Sequence, residues 1–210
     1  MTRLTILLVL LTNLSFGQTP LDYQLYSLAI NDFINEGIKY DKKTTQVIVI
    51  NKFIPDENQA SVYGKEFLNE DEQQINTFLR YDTLKIRLLN DARISDAIRS
   101  LEKEFYETPI LDKNKFNLNP PVTTITKRQF ENYFNTLFGR KIEKGWRKFY
   151  KKHPGSHGVF EFSKITYSDN YACFYIGRHS NGLSGSGDIV IARKLNGDWS
   201  IITYMNVWMS

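Results

Sequence analysis

The sequence contains little cysteine and little histidine. Cys173 is the only cysteine among 210 residues, so no disulfide can form within the chain. It lies in the middle of a predicted strand, NYACFYI, without the helix N-terminus that activates a thiol, and we predict a buried or half-buried filler residue. The three histidines, at positions 153, 157 and 179, do not suffice for a four-ligand zinc site without carboxylates. The fold must therefore be held by an apolar core.

The sequence also lacks an apolar run long enough to span a bilayer. Its longest run, Leu4 to Leu11, is about half the length that a transmembrane helix needs. Arg3 precedes this run, and the small residues Ser15 and Gly17 follow it, which is typical of a signal peptide cut after Gly17. We expect an exported protein, periplasmic or extracellular, that comprises residues 18–210 and is not an integral membrane protein.

Acidic and basic residues are unevenly distributed along the chain. Residues 18–109 carry 11 Lys or Arg against 16 Asp or Glu, whereas residues 110–210 carry 15 against 7. Nine of the basic residues lie between Lys127 and Lys152. Such a segment favours contact with an anionic partner, and it is equally compatible with attraction between the two halves of the chain.

The first half is predicted to be a helix-rich region, residues 18–106, with one or two short strands. Two sets of apolar residues recur at helical spacing: Tyr23, Tyr26, Ile30, Phe33 and Ile34, and then Ile94, Ile98, Leu101 and Phe105. A capping box at residues 69–72 predicts a further helix. Residues 45–51 and 83–89 are predicted strands. Residues 107–123 contain three prolines and few periodic apolar positions, which predicts a linker.

Residues 124–210 are predicted to form an α+β domain. A capping box at Thr126–Gln129 opens a helix over residues 127–138, and a second helix ends at His-Pro-Gly, residues 153–155. The period then changes to two, which predicts strands at 158–168, 170–178, 188–195 and 198–209. Asn-Gly at 196–197 predicts a type I′ turn between the last two strands. The fold class is α+β, with two helices packed on a four-stranded antiparallel meander in the C-terminal part.

The C-terminal part carries two resemblances. Its order of elements is similar to the helix-on-curved-sheet arrangement of cystatin-like and nuclear-transport-factor-like domains. The pattern Trp146…Phe149-Tyr150…Gly158…Phe162-Ser163…Leu183-Ser184-Gly185-Ser186-Gly187…Trp199-Ser200-Ile201…Trp208-Met209-Ser210, over about the last 65 residues, resembles uncharacterised exported bacterial proteins. Those proteins have no assigned activity, so this resemblance implies a domain boundary and no chemistry.

The segment RHSNGLSGSGDIV, residues 178–190, places Ser184 and Ser186 among three glycines. A nucleophile elbow needs a glycine two residues before and another two residues after its serine, and neither serine has both. Phosphate-binding and dinucleotide-binding motifs need a helix after the glycines, whereas here a strand is predicted. We therefore predict a mobile hairpin loop over residues 179–187, and a ligand-binding lip is the alternative.

Two enzymatic alternatives remain open from the sequence. Ser184 with His157 or His179, oriented by Asp188, has the residue types of a hydrolase. His153 and His157 are four residues apart, but the intervening Pro and Gly break the helix that would make this spacing useful for a metal-assisted site. No resident metal and no cofactor are expected.

The most prominent candidate site is the positively charged side of the second C-terminal helix. Six cations lie away from its apolar stripe of Ile142, Trp146 and Phe149, or at the edge of that stripe: Arg140, Lys144, Arg147, Lys148, Lys151 and Lys152. We expect a non-enzymatic binding protein whose partner is an anionic envelope component or an acidic protein, with a solvated surface or a structural module as the alternatives. Nucleic acid is not an expected partner, because the aromatic residues of this helix serve the core and are not stacking platforms among the cations.

Overall fold

The structure is a computed structural model that describes residues 19–38, 43–55, 91–105, 107–135, 141–182 and 184–210. The predicted signal peptide, the capping box at 69–72, the strand at 83–89 and Arg140 lie outside the described residues. Within them the fold combines helices and strands, as the predicted α+β class requires, with a helical N-terminal region and a C-terminal sheet of several strands. No helix in the described ranges is both long and apolar enough to cross a bilayer.

The described elements are four helices, one 3-10 turn and seven strands. The helices are α1 (Pro20–Ile38), α2 (Ala92–Glu104), α3 (Lys127–Asn132) and α4 (Ile142–Lys152), and the 3-10 turn is Lys113–Lys115. The strands are β1 (Val47–Ile50), β2 (Val122–Ile125), β3 (Val159–Phe162), β4 (Thr166–Ser168), β5 (Tyr171–Asn181), β6 (Ser184–Leu195) and β7 (Asp198–Met209).

Helix α3 begins where the predicted capping box places it, but it ends earlier than the sequence predicts. The Thr126 hydroxyl accepts a hydrogen bond from the Gln129 N–H at 3.1 Å, and the Gln129 side chain accepts one from the Thr126 N–H at 2.8 Å, which confirms the capping box. The helix ends at Asn132, well before residue 138. A turn follows it, in which the N–H groups of Tyr133 and Phe134 donate to the carbonyls of Phe130 and Glu131. Phe134 then packs on α4, where a Cβ at Gly145 would lie 2.3 Å from its ring.

One sheet joins strands from both ends of the chain in the order β2-β1-β3-β5-β6-β7, and β4 pairs with β5. Strand β1 runs parallel to β2 and β3, whereas β3, β5, β6 and β7 are antiparallel. All four residues of β1 are buried, since the strand has a neighbour on each side and packed layers on both faces. The division of the chain at residues 107–123 stays a prediction, and the regions on its two sides contribute to the same sheet.

The residues predicted as a linker are fixed to the rest of the chain. The Thr108 hydroxyl donates to the Phe53 carbonyl, and the Leu111 N–H donates to the Asn51 carbonyl at 2.6 Å. Leu111 itself is buried, and the Tyr23 hydroxyl of α1 accepts the N–H of the following residue at 2.8 Å. The segment is therefore an ordered connection.

Two turns define the C-terminal strands. Asn196 and Gly197 have φ angles of +53° and +98°, which confirms the predicted type I′ geometry between β6 and β7. The predicted strand at 158–168 is two strands, β3 and β4, because the chain leaves the ladder at Ser163. The Ser163 hydroxyl accepts the Tyr175 N–H at 2.8 Å and donates to the Lys164 carbonyl, in competition with regular pairing.

Helices cover both faces of the sheet. Helix α1 packs on one face, where its Tyr26 and Ile30 share an apolar cluster with Phe174 of β5. Helix α2 covers the middle of the other face, where Ile98 and the fully buried Cys173 belong to the same apolar cluster. Helices α3 and α4 share this second face at its β1–β3 end. The two C-terminal helices thus cover only part of the meander, and helices of the N-terminal region cover the rest.

Candidate functional site

Strands β5 and β6 continue through the glycine- and serine-rich segment. Gly177 pairs with Gly187, His179 with Gly185, and Asn181 with Ser184. Only residues 182 and 183 separate the two strands. The prediction of a hairpin loop over residues 179–187 is therefore wrong, although glycine and serine have little preference for strands.

Trp208 on β7 explains the glycines of β6. A Cβ on Gly187 would lie 2.0 Å from the indole nitrogen, and one on Gly185 would lie 2.9 Å from the indole ring. The indole also stacks on the His179 ring, with 5.3 Å between centroids, and donates a hydrogen bond to the Tyr175 hydroxyl at 3.0 Å. The glycines leave room for an aromatic side chain against the strand backbone.

Glu161 is a carboxylate of β3 with 2% of its surface exposed. Its Oε1 lies 3.1 Å from His179 Nε2, and its Oε2 accepts a hydrogen bond from Lys127 Nζ at 3.2 Å. Burial raises the pKa of Glu161, but His179 and Lys127 outweigh burial, so the net pKa lies below the usual value. Gly177 leaves the necessary space, since a Cβ there would be 2.9 Å from Oε1. This cluster ties β3 and β5 to the start of α3.

A cleft of about 550 Å³ lies on the opposite face of the sheet, beside the last part of α1. Its apolar lining comes from Phe33, Ile34, Val47, Ile48 and Phe160. Its polar lining comes from Thr44, Gln46, Tyr150, His157, Arg178, Ser180, Asn181 and Ser184. The volume is in the range of small-molecule sites, and apolar walls with a few polar groups are typical of them.

The structure brings two of the predicted catalytic candidates to one cleft and separates His179 from them. Ser184 and His157 line this cleft together. The His179 side chain lies on the other face of the sheet, where it binds Glu161 and contacts Trp208, so it is not a partner for Ser184. Asp188 accepts a hydrogen bond from the Asn206 amide at 3.0 Å.

His153 belongs to the core beneath α4. Its Nε2 lies 3.1 Å from the Tyr133 hydroxyl, and its ring centroid lies 4.9 Å from that of Phe149. Burial lowers the pKa of His153, and the charge of Lys152 lowers it further. No group of three or more His, Cys, Asp or Glu side chains in the described ranges is arranged to hold a metal ion.

The cations of α4 face solvent. Lys144, Arg147, Lys148, Lys151 and Lys152 are all exposed, and we call these five residues the basic face. No carboxylate of the described residues lies within ion-pair distance of them. Trp146 and Phe149 are buried as predicted, but Ile142 is 51% exposed. Ile142 lies instead over the β5–β6 connection, where a Cβ on Gly182 would be 2.8 Å from its side chain.

Sequence reasoning missed Arg178 as a cleft residue. Ala172, Phe174 and Ile176 of β5 face the core at intervals of two residues, and the same alternation places Arg178 on that face. A cation that continues an apolar face is the signal that could have identified it. Its guanidinium lies 5.5 Å from the centroid of the Phe33 ring.

Comparisons with protein-family models, with curated proteins and with solved structures find no match for this chain. The likeness to cystatin-like and nuclear-transport-factor-like domains and to exported bacterial proteins therefore stays a prediction from the sequence.

Proposed function

We propose that this protein is an exported, non-enzymatic binding protein that attaches to an anionic component of the cell envelope through the basic face of α4. The observation that carries the proposal is the exposure of five cations on one helix, with no carboxylate of the described chain at ion-pair distance. Export is supported by the N-terminal sequence pattern alone.

The basic face is held on a fixed support. Trp146 and Phe149 anchor the other side of α4 in the core, and the Tyr150 hydroxyl donates to the Ser180 carbonyl of β5. The five cations are therefore already arranged on one folded helix, so binding requires no folding of this segment and its entropy cost is smaller. Each basic residue near an anionic lipid surface contributes about 1 kcal/mol of attraction, so five are enough for measurable association.

Charge reversal tests this proposal with vesicles that contain phosphatidylglycerol. We expect the fourfold variant Arg147→Glu, Lys148→Glu, Lys151→Glu, Lys152→Glu to fold normally and to lose at least about tenfold in vesicle affinity, since each reversal replaces attraction by repulsion. The loss should be larger at low ionic strength, where charges are less screened.

A matched control reverses four exposed cations elsewhere: Lys103→Glu, Lys113→Glu, Arg193→Glu and Lys194→Glu. The two variants have the same net charge, so a difference between them reports the position of the charges. The proposal is wrong if both variants bind vesicles equally, or if the unmodified protein does not sediment with anionic vesicles at low salt.

A hydrolase is the second candidate, because Ser184 and His157 line one cleft. With Ser184 as nucleophile and His157 as base, Ser184→Ala and His157→Gln should each abolish turnover of a short-chain p-nitrophenyl ester without unfolding the protein. Ser186→Ala, two residues along the same strand, is the matched control and should keep full activity. Absence of turnover by the unmodified protein across acyl chain lengths would remove this candidate.

A further inference from the structure

We propose that the cleft beside α1 binds a small monocarboxylate with an apolar body, and that Arg178 recognises the carboxylate group. This site is independent of the basic face, since it uses none of those five residues. Three features of the cleft support this assignment: the charge of Arg178, the polar lining and the apolar lining.

Arg178 has the position and the chemistry for this role. It lies in the middle of the sheet, paired with Phe160 on β3 and Ser186 on β6, and its side chain is half-buried. Its guanidinium lies over the Phe33 ring, which fixes its direction, and no carboxylate of the described residues is within ion-pair distance. Guanidinium binds a carboxylate through two parallel hydrogen bonds, which suits a fixed cation at a cleft wall.

The polar part of the cleft is built from several elements. Oγ1 of Thr44, just before β1, is shielded from solvent and has no hydrogen-bond partner among the described groups. The Ser180 hydroxyl donates to the Ser184 carbonyl at 2.6 Å, and the Tyr150 hydroxyl donates to the Ser180 carbonyl. These bonds join β5, β6 and α4 into one wall. Thr44 supplies a hydroxyl that a ligand oxygen can satisfy.

The apolar part limits the class of ligand. Phe33, Val47 and Phe160 line it, and about 550 Å³ accommodates a body the size of a medium-length acyl chain or a small ring system. One guanidinium balances the single charge of a carboxylate, whereas a phosphate dianion would keep excess charge beside apolar side chains. The geometry therefore favours a monocarboxylate over a phosphate ester.

Calorimetric titration of the full chain with octanoate and with octan-1-ol tests the site. The two probes share their apolar chain and differ in the carboxylate. We expect octanoate to bind at least about tenfold more tightly, the factor that a single hydrogen-bonded charge pair supplies. Arg178→Gln should remove this preference and leave octan-1-ol binding unchanged. Arg193→Gln, which neutralises an exposed arginine at the far end of the β5–β6 pair, should bind octanoate normally.

No octanoate binding, equal binding of the two probes, or full octanoate affinity in Arg178→Gln would overturn the proposal. If Arg178→Gln does not fold, amide chemical shifts of the unmodified protein decide the question. Octanoate-induced shifts at Thr44, Arg178 and Ser180 support the cleft, and shifts confined to α4 overturn it. Loss of octanoate binding in the fourfold charge-reversal variant would likewise place the probe on the basic face.

Discussion

The indole nitrogen of Trp208 lies 2.0 Å from the position that a Cβ on Gly187 would occupy. The two residues are cross-strand partners on β7 and β6, so the missing side chain of one makes room for the large side chain of the other. The glycines of this segment therefore have a packing role. An aromatic ring against a glycine in a neighbouring strand compensates for the weak strand preference of glycine.

Gly187→Ala is expected to destabilise the protein by about 1–3 kcal/mol, the usual cost of overpacking. The indole must move, so its hydrogen bond to the Tyr175 hydroxyl and its near-ultraviolet circular dichroism should change. In a Trp208→Ala background the same substitution should cost almost nothing, because the clashing group is gone. Urea unfolding of the four proteins gives the coupling free energy. Equal costs in both backgrounds would contradict the packing explanation.

Glu161→Gln is expected to destabilise the protein by roughly 1–3 kcal/mol at neutral pH, because its hydrogen bonds to Lys127 and His179 are charge-assisted. The pKa of Glu161 is lowered in the fold, so its stabilisation is fully present above the unfolded pKa, near 4.3. It is lost as pH falls through the folded pKa.

Unfolding by urea at a series of pH values checks this expectation. The free-energy difference between the unmodified protein and Glu161→Gln should shrink as pH falls below about 4.3, where the unfolded carboxyl takes up its proton, and should vanish below the folded pKa. Glu131→Gln, which changes an exposed carboxyl on α3, should show no comparable difference. If the difference in unfolding free energy between the unmodified protein and Glu161→Gln does not vary with pH, the charge of the carboxylate contributes nothing to stability.

His153 should make the protein less stable as pH falls below about 6.5, the usual pKa of an unfolded histidine. Its pKa is lowered by burial and by Lys152, so the unfolded chain binds the proton first and acid favours unfolding. His153→Gln should lose this part of the pH dependence between pH 7 and about 5.5. Tyr133→Phe should reduce stability by about 1 kcal/mol and keep the pH dependence, since burial remains. Identical pH profiles for His153→Gln and the unmodified protein would contradict this assignment.

Cys173 should be inert in the folded protein. The side chain is fully buried, and burial strongly raises its pKa, so both access and thiolate formation are suppressed. Reaction with a disulfide reagent should be at least about a thousandfold slower than in denaturant, because it requires an opening that costs several kcal/mol. Ser200→Cys, at an exposed site on β7, provides a second thiol that should react at once. Rapid reaction of both thiols would show that α2 opens readily.

Local features of the fold could be predicted from the sequence because their causes are local. The turn at Asn196-Gly197 needs only two positive φ angles, and the start of α3 needs only the reciprocal bonds of Thr126 and Gln129. The apolar stripe of α2 is buried as its spacing predicts. Each of these signals lies within about a dozen consecutive residues.

Features that depend on distant partners could not be predicted in this way. The glycine-rich segment suggested a loop, because the residue that orders it, Trp208, is about twenty positions further along the chain. The exposure of the five residues of the basic face could be predicted, since helical spacing alone separates them from Trp146 and Phe149. The cleft could not be predicted, because Thr44 and Arg178 come to line it only through the pairing of β1, β3 and β5.

The position of β1 between two parallel neighbours also has a consequence for the order of folding. Val47 pairs with Val122, and Ile48 pairs with Val159, so this strand closes loops of 75 and 111 positions. The β6–β7 hairpin, by contrast, closes across a two-residue turn. Closing long loops costs entropy before contacts compensate for it, so high-contact-order pairings form late. The hairpins of the meander close over short loops, so we expect them to pair before β1 does, and the cleft that β1 lines is then completed late in folding.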